Sequence, residues 1–255
     1  MILLPAPYRF YIFSPINYIM PLKIVIIFTL CALLSTTINA QRAGKTIQIN
    51  IDTLLNARPV STGFDGLIKS WTKGIDGNGD GDGYLTMSAA IYCDNKDPHA
   101  LPDNPLIPAT NMHPAIKLHY NNRDSVGYQA RFVSGEGRFA FNVPAKRYQG
   151  IYLSLTSSEG PSQLQIQLIY KDGTDIKDFT LPDYYNDIPT GDENLSYLVH
   201  NLAKWGKKNI MTESDHHNID VLNVHPNPKR VLGRIIVKKS KPGFLVFWAA
   251  TGTVN

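Results

Sequence analysis

From Gln163 to Tyr170 polar and apolar residues take strict turns: Gln163, Gln165 and Gln167 alternate with Leu164, Ile166, Leu168 and Tyr170. A period of two sorts the residues of an extended chain onto two faces, which a helix cannot do, so this stretch predicts a half-buried strand. Asp172-Gly173 follows, a pair suited to the two positive-φ positions of a type I′ hairpin turn, and a second extended run reaches Leu181. The same alternation recurs at Ile47, Ile49 and Ile51; at Ile116, Leu118 and Tyr120, with Asn121-Asn122 as a turn; at Phe139, Phe141 and Val143; and at Ile235 and Val237. Residues 244–250, Phe-Leu-Val-Phe-Trp-Ala-Ala, are apolar without a break, as in a strand covered on both faces.

One segment has a different period. Leu195, Leu198, Val199, Leu202 and Trp205 fall at i, i+3, i+4, i+7 and i+10, with Asp192 or Asn194 to cap, Lys204 and Lys207 at the negative end and Gly206 to stop. That spacing predicts a helix. Eight or so strands, one helix and no βαβ alternation give an all-β domain, a β-sandwich of two antiparallel sheets with one inserted helix.

Between the strands lie irregular stretches. Residues 52–62 read as a loop, and so does the glycine-rich run from Gly63 to Tyr84. Prolines at 98, 102, 105, 108 and 114 mark an extended connection.

The first forty residues stand apart. Residues 24–34 form an apolar core preceded by Lys23 and followed by Ile38-Asn39-Ala40, the pattern of a secretory signal peptide cleaved after Ala40. Arg42 and Lys45 after the apolar run leave a membrane anchor as the competing reading, and Met20 is a second possible start. Residues 41–255 then form a single domain, secreted, periplasmic or held at the cell surface. Arg9 and Lys23 go with the leader, leaving 23 basic and 21 acidic residues in the mature chain. So even a balance advertises neither nucleic acid nor anionic membrane as partner. Cys31 lies in the leader, so Cys93 has no partner for an internal disulfide and reads as a small buried hydrophobe.

Chemistry concentrates in residues 76–83, where Asp76, Asn78, Asp80 and Asp82 alternate with glycine. Calcium takes six to eight oxygens from flexible loops of this kind. Read as an EF-hand from Asn78, the loop carries Ala89 where the bidentate Glu belongs, so a structural Ca²⁺ site in a β-sandwich loop, with Asp65 nearby, is the expectation, against a solvated acidic turn. His216, His217 and His225 lie near Asp215 and Asp220; they read as an exposed polar loop, with zinc binding or general-base chemistry as the alternative. Sugar recognition uses aromatic faces flanked by amides and carboxylates. Trp205 and Trp248 fit packing positions, which leaves Trp71, Tyr184 and Tyr185 as the candidate platform. There is no Gly-x-Ser-x-Gly elbow, phosphate loop or His-Glu-x-x-His helix.

The order of features resembles a known family. A first strand, Phe64-Asp-Gly, the long connection, Val143-Pro-Ala-Lys-Arg-Tyr-Gln-Gly-Ile-Tyr-Leu-Ser-Leu155, the strand ending in Tyr170-Lys-Asp-Gly-Thr174 and Lys229-Arg-Val-Leu-Gly-Arg-Ile-Ile-Val237 are similar to galactose-binding-domain-like modules of secreted bacterial glycoside hydrolases. The resemblance covers most of residues 46–254 and implies a jelly-roll fold and non-catalytic binding of a polysaccharide or cell-surface glycan. The chain departs from the pattern in its longer Pro-rich connection, in the helix and in having no attached catalytic domain. Two other classes stay open: a small secreted polysaccharide hydrolase or lyase, and a structural surface protein with no small ligand.

Overall fold

The computed structural model describes residues 44–93 and 99–255; the signal-peptide expectation lies outside them. In chain order the strands begin with β1 (Lys45–Ile49), β2 (Val60–Phe64), β3 (Leu67–Lys69) and β4 (Tyr84–Leu85), followed by a six-residue helix α1 (Met87–Tyr92). Short strands β5 (Leu106–Ile107) and β6 (Ile116–Lys117) lead to β7 (Arg131–Ser134), β8 (Gly137–Lys146), β9 (Gly150–Ser158), β10 (Ser162–Tyr170) and β11 (Gly173–Leu181). Then come β12 (Leu195–Trp205), β13 (Met211–Asn223), β14 (Leu232–Ser240) and β15 (Phe244–Val254). The protein is all-β, and its two large sheets are antiparallel. One runs β1-β15-β9-β13-β12 with β7 also on β15, and the other β11-β10-β14-β8.

Alternation decides how these sheets meet. Leu164, Ile166, Leu168, Phe139, Phe141, Ile235 and Val237 from the smaller sheet pack against Leu153, Leu155, Leu222, Leu245 and Phe247 from the larger one in a single buried cluster. Phe247 lies between Phe139 and Phe141, with ring centroids 4.9 and 5.4 Å away. The opposite face of the larger sheet is covered as well. Val246, Trp248, Ile219, Val221 and Leu198 pack under Val60, Ile75, Tyr84, Leu101, Ile116, Leu118 and Tyr120, all from the irregular first half of the chain. The molecule is thus a β-sandwich carrying a third layer, a cap of loops, short strands and α1. That is why residues 244–250 are apolar throughout: β15 has a core on each side.

Three local expectations change. Residues 195–205 are the strand β12, paired with β13, and not an inserted helix. The register shifts four times between Tyr197 and Trp205, and Asn201 has φ of 60°. The first two shifts, between Tyr197 and Leu202, each put one more residue on β12 than on β13 and move its inward side chains off period two, so the bulged strand imitates helical spacing. Asp192 caps no helix; its Oδ1 accepts hydrogen bonds from the N–H groups of Asn194 and Leu195 in a turn.

The hairpin turns differ in the same way. Tyr170 pairs with Gly173, so Lys171 and Asp172 form the loop and only Gly173, at φ of 143°, leaves the ordinary region. The two-residue turn with both central φ values positive is instead Asp65-Gly66, at 53° and 76°, closed by Phe64 and Leu67. Residues 52–62 and 63–84, expected as loops, contribute β2, β3 and β4 to the cap.

Candidate functional site

A cleft of about 680 Å³ opens where the cap meets the edge of the larger sheet. Asn50, Asp52, Phe64, His119, Asn122 and Arg123 line it together with Asp103, Lys117, Asn121 and Asp124. Alternation explains the placing of His119: Leu118 and Tyr120 are buried in the cap core, so Lys117 and His119 turn the other way. Gln48 braces the wall by donating to the Ala115 carbonyl and accepting from the Lys117 N–H and the Thr251 hydroxyl. Buried Arg58 holds the opposite wall, donating to the carbonyls of Asp124 and Gly127 and to the Thr62 hydroxyl.

Within this frame several groups face the cleft. Nδ1 of His119 lies 3.3 Å from Oδ1 of Asp52, whose other oxygen accepts from the Asn50 amide at 3.1 Å. Burial pushes the His119 pKa below the ordinary histidine value, opposed by Asp52 and assisted by Lys117. The neutral ring therefore carries its proton on Nδ1, toward Asp52, and leaves Nε2 as an acceptor. The Arg123 guanidinium sits 4.7 Å from the centroid of the Phe64 ring, which is 45% exposed. Asn122 donates to Asp103 at 2.8 Å, while its Oδ1 is buried with no partner. The arrangement combines an aromatic face, amides, a carboxylate–imidazole pair and a cation, which suits a polar ligand with many hydroxyl groups.

The residues singled out in the sequence lie elsewhere. Trp71 is 5% exposed, donating from its backbone to the Ser61 hydroxyl and from its indole to the Trp205 carbonyl. Tyr184 is 4% exposed. A stacking platform needs an open ring face, so neither residue supplies one. Tyr185 reaches the surface, with its ring packed against Tyr184 and His217 at 4.7 and 4.6 Å.

The Asp/Gly loop turns inward at one end. Asp76 is buried; its Oδ1 accepts from the Asp82 N–H at 2.7 Å, and its Oδ2 from the Tyr184 hydroxyl and the Lys204 ammonium, both at 3.1 Å. Exposed Asp80 pairs with Lys207 at 2.9 Å, and Asp82 accepts from the Thr212 hydroxyl. Asn78 sits at φ of 57° in a 3₁₀ turn. The ammonium groups of Lys204 and Lys207 therefore hold the carboxylates that a calcium ion would use. Among the described residues no three His, Cys, Asp or Glu side chains come together in a metal-binding group.

The histidine segment is corrected in part, because His216 and His217 lie on β13, whereas His225 follows the strand in an exposed loop. His216, at φ of 73°, points to solvent, whereas His217 is fully buried. Nδ1 of His217 donates to the Leu202 carbonyl at 2.8 Å and its ring stacks on Tyr184. His225 is exposed, 2.6 Å from Lys177 Nζ through its carbonyl. The three do not converge. Glu213, 3.3 Å from His217 Nε2, has its pKa raised by burial and then by Asp82 and Asp76.

The cleft residues carry no motif, since they come from segments far apart in the chain, among them 48–52, Phe64, 103–105 and 117–124. The one signal was the alternation at residues 116–120, which turns Lys117 and His119 away from the core. No protein-family model matches the chain, and a comparison with curated proteins finds no match. Among the described residues no helix is long and apolar enough to cross a membrane.

Proposed function

We propose that this protein is an exported, non-catalytic binding module that holds a polysaccharide or cell-surface glycan in the cleft between cap and sheet. One observation carries the reading: the cleft combines the exposed Phe64 face with the Asp52–His119 pair, Asn122 and Arg123. A pyranose offers an apolar face to the ring and hydroxyls to the polar groups, and the volume lies in the range of sites that enclose such ligands. The site differs from the expected Trp71, Tyr184 and Tyr185 platform, although the ligand class is the same. Calcium enters as a competitor: it would have to take Asp76, Asp80 and Asp82 from Lys204 and Lys207.

Calorimetric titration of the purified chain with a polysaccharide panel, with calcium and with chelator, tests the reading. One glycan binds the wild type, and Phe64→Ala and His119→Ala each lose most of the affinity. Unchanged affinity in both variants overturns the site.

A second reading is favoured by the same pair. His119, neutral and oriented by Asp52, has the arrangement of a general base, as a polysaccharide hydrolase or lyase requires. Release of reducing or unsaturated ends by wild type, absent in His119→Ala, selects this reading over simple binding.

A further inference from the structure

Lys204 of β12 reaches into the cap and meets Asp76. Its Nζ lies 3.1 Å from Asp76 Oδ2 and 3.0 Å from Glu213 Oε1, and the Lys204 and Asp76 side chains are only 9% and 8% exposed. The rings of Tyr184 and Tyr185 close over the ammonium, their centroids 5.7 and 5.5 Å away. We propose that Lys204 and Asp76 are the two halves of an intramolecular amide bond, formed in the folded protein with Glu213 as the proton carrier.

Each contact has a part in that reaction. A buried ammonium and a buried carboxylate both lose hydration, and a neutral amide made from the same atoms removes that cost. Fold-imposed proximity replaces chemical activation of the acid. The Asp82 N–H, 2.7 Å from Asp76 Oδ1, is placed to stabilise charge that develops on that oxygen. The Tyr184 hydroxyl donates to Oδ2, the oxygen that leaves. Glu213 touches the amine with Oε1, and its Oε2 faces His217 Nε2 at 3.3 Å. Because His217 Nδ1–H is committed to the Leu202 carbonyl, a contact between Nε2 and a carboxylate needs one proton between them. Glycine at 81 is required too, since a Cβ there would lie 1.8 Å from Asp76 Oδ1.

The step balances without a cofactor. Lys204 gives one ammonium proton to Asp76 Oδ2, directly or through Glu213, which leaves a free amine facing a neutral carboxyl group. Nζ attacks Cγ, the C–N bond forms and the carbonyl electron pair moves to Oδ1. Glu213 takes a second proton from Nζ and returns it to the hydroxyl on Cγ. The Cγ–Oδ2 bond breaks, water leaves and the carbonyl re-forms. Ammonium plus carboxylate has become amide plus water, with nothing oxidised or reduced.

Intact-mass measurement and peptide mapping of the purified, denatured full chain decide the matter. The wild type is expected one water lighter than its own processed sequence, with a branched peptide joining the Lys204 and Asp76 segments. Lys204→Arg keeps the full mass. Glu213→Gln, folded by circular dichroism, keeps both peptides linear or cross-links at least tenfold more slowly. A wild type of full mass that yields only linear peptides overturns the proposal whatever the variants do. Equally complete cross-linking in Glu213→Gln overturns the role of Glu213.

Discussion

Asp220 sets the pH dependence of stability. It is 1% exposed, both carboxylate oxygens lack a hydrogen-bond partner, and burial pushes its pKa up to about 8. In the unfolded chain the same group titrates near 4. Below that pH both states hold the proton and the residue adds no pH dependence. Between about 4 and 8 the native protein keeps a proton that the unfolded chain releases, so stability falls as pH rises, by about 1.4 kcal/mol per unit. Over the whole interval the loss is on the order of 5 kcal/mol, a large share of the roughly 5–15 kcal/mol that holds a domain folded. His119 and His217 act in the opposite sense: burial lowers both, so each adds stability as pH rises through the histidine range. Comparing wild type with Asp220→Asn isolates the aspartate, because the histidines are common to both. Urea unfolding at pH 5, 6.5 and 8 should give wild-type stabilities that fall relative to the variant, with Asp220→Asn the more stable protein at pH 8. Parallel stability curves for the two proteins would refute a protonated, buried Asp220.

Other outcomes follow from described contacts. Trp71→Ala opens a cavity beneath the cap and should lower stability by about 3–5 kcal/mol, read by the same unfolding assay. Arg58→Ala strips the Gly127 carbonyl of its donor and leaves that of Asp124 only the Thr62 hydroxyl; it should cost about 3 kcal/mol and weaken glycan binding, because that loop is a wall of the cleft. Glycan affinity should be flat from pH 8 to about 6.5 and drop only at lower pH, when protonation removes the His119 acceptor; calorimetry across that range checks it. Gly81→Ala should displace Asp76, lower the melting temperature and abolish any cross-link detected by mass spectrometry.

What the sequence made legible was the sandwich. Gln163 to Tyr170, Phe139 to Val143 and Ile235 to Val237 each have one wet and one dry face, and alternation reports that directly. The unbroken apolar run in β15 likewise announced two covered faces. Period failed at residues 195–205 because it presumes regular pairing, and bulges there break the count. The burial of Trp71 was hidden for another reason: a tryptophan in a glycine-rich loop looks exposed until the loop is seen to fold back on a sheet. The cleft was hidden because Asp52, Phe64 and the 117–124 segment that carries His119 and Arg123 are far apart in the chain and share no spacing. Only topology brings them together.

The central position of β15 also bears on the order in which the protein is made. β15 follows every strand it pairs with, β1, β7 and β9, and it contributes side chains to both large cores. Until Phe244–Val254 is in place neither core can close, so the chain that precedes it carries two unfinished apolar surfaces. Such a chain stays loosely structured late and then folds through contacts between distant segments, which is slow. For the exported module proposed above, that delay is an advantage: a chain that completes its fold late can still be threaded through a translocation pore.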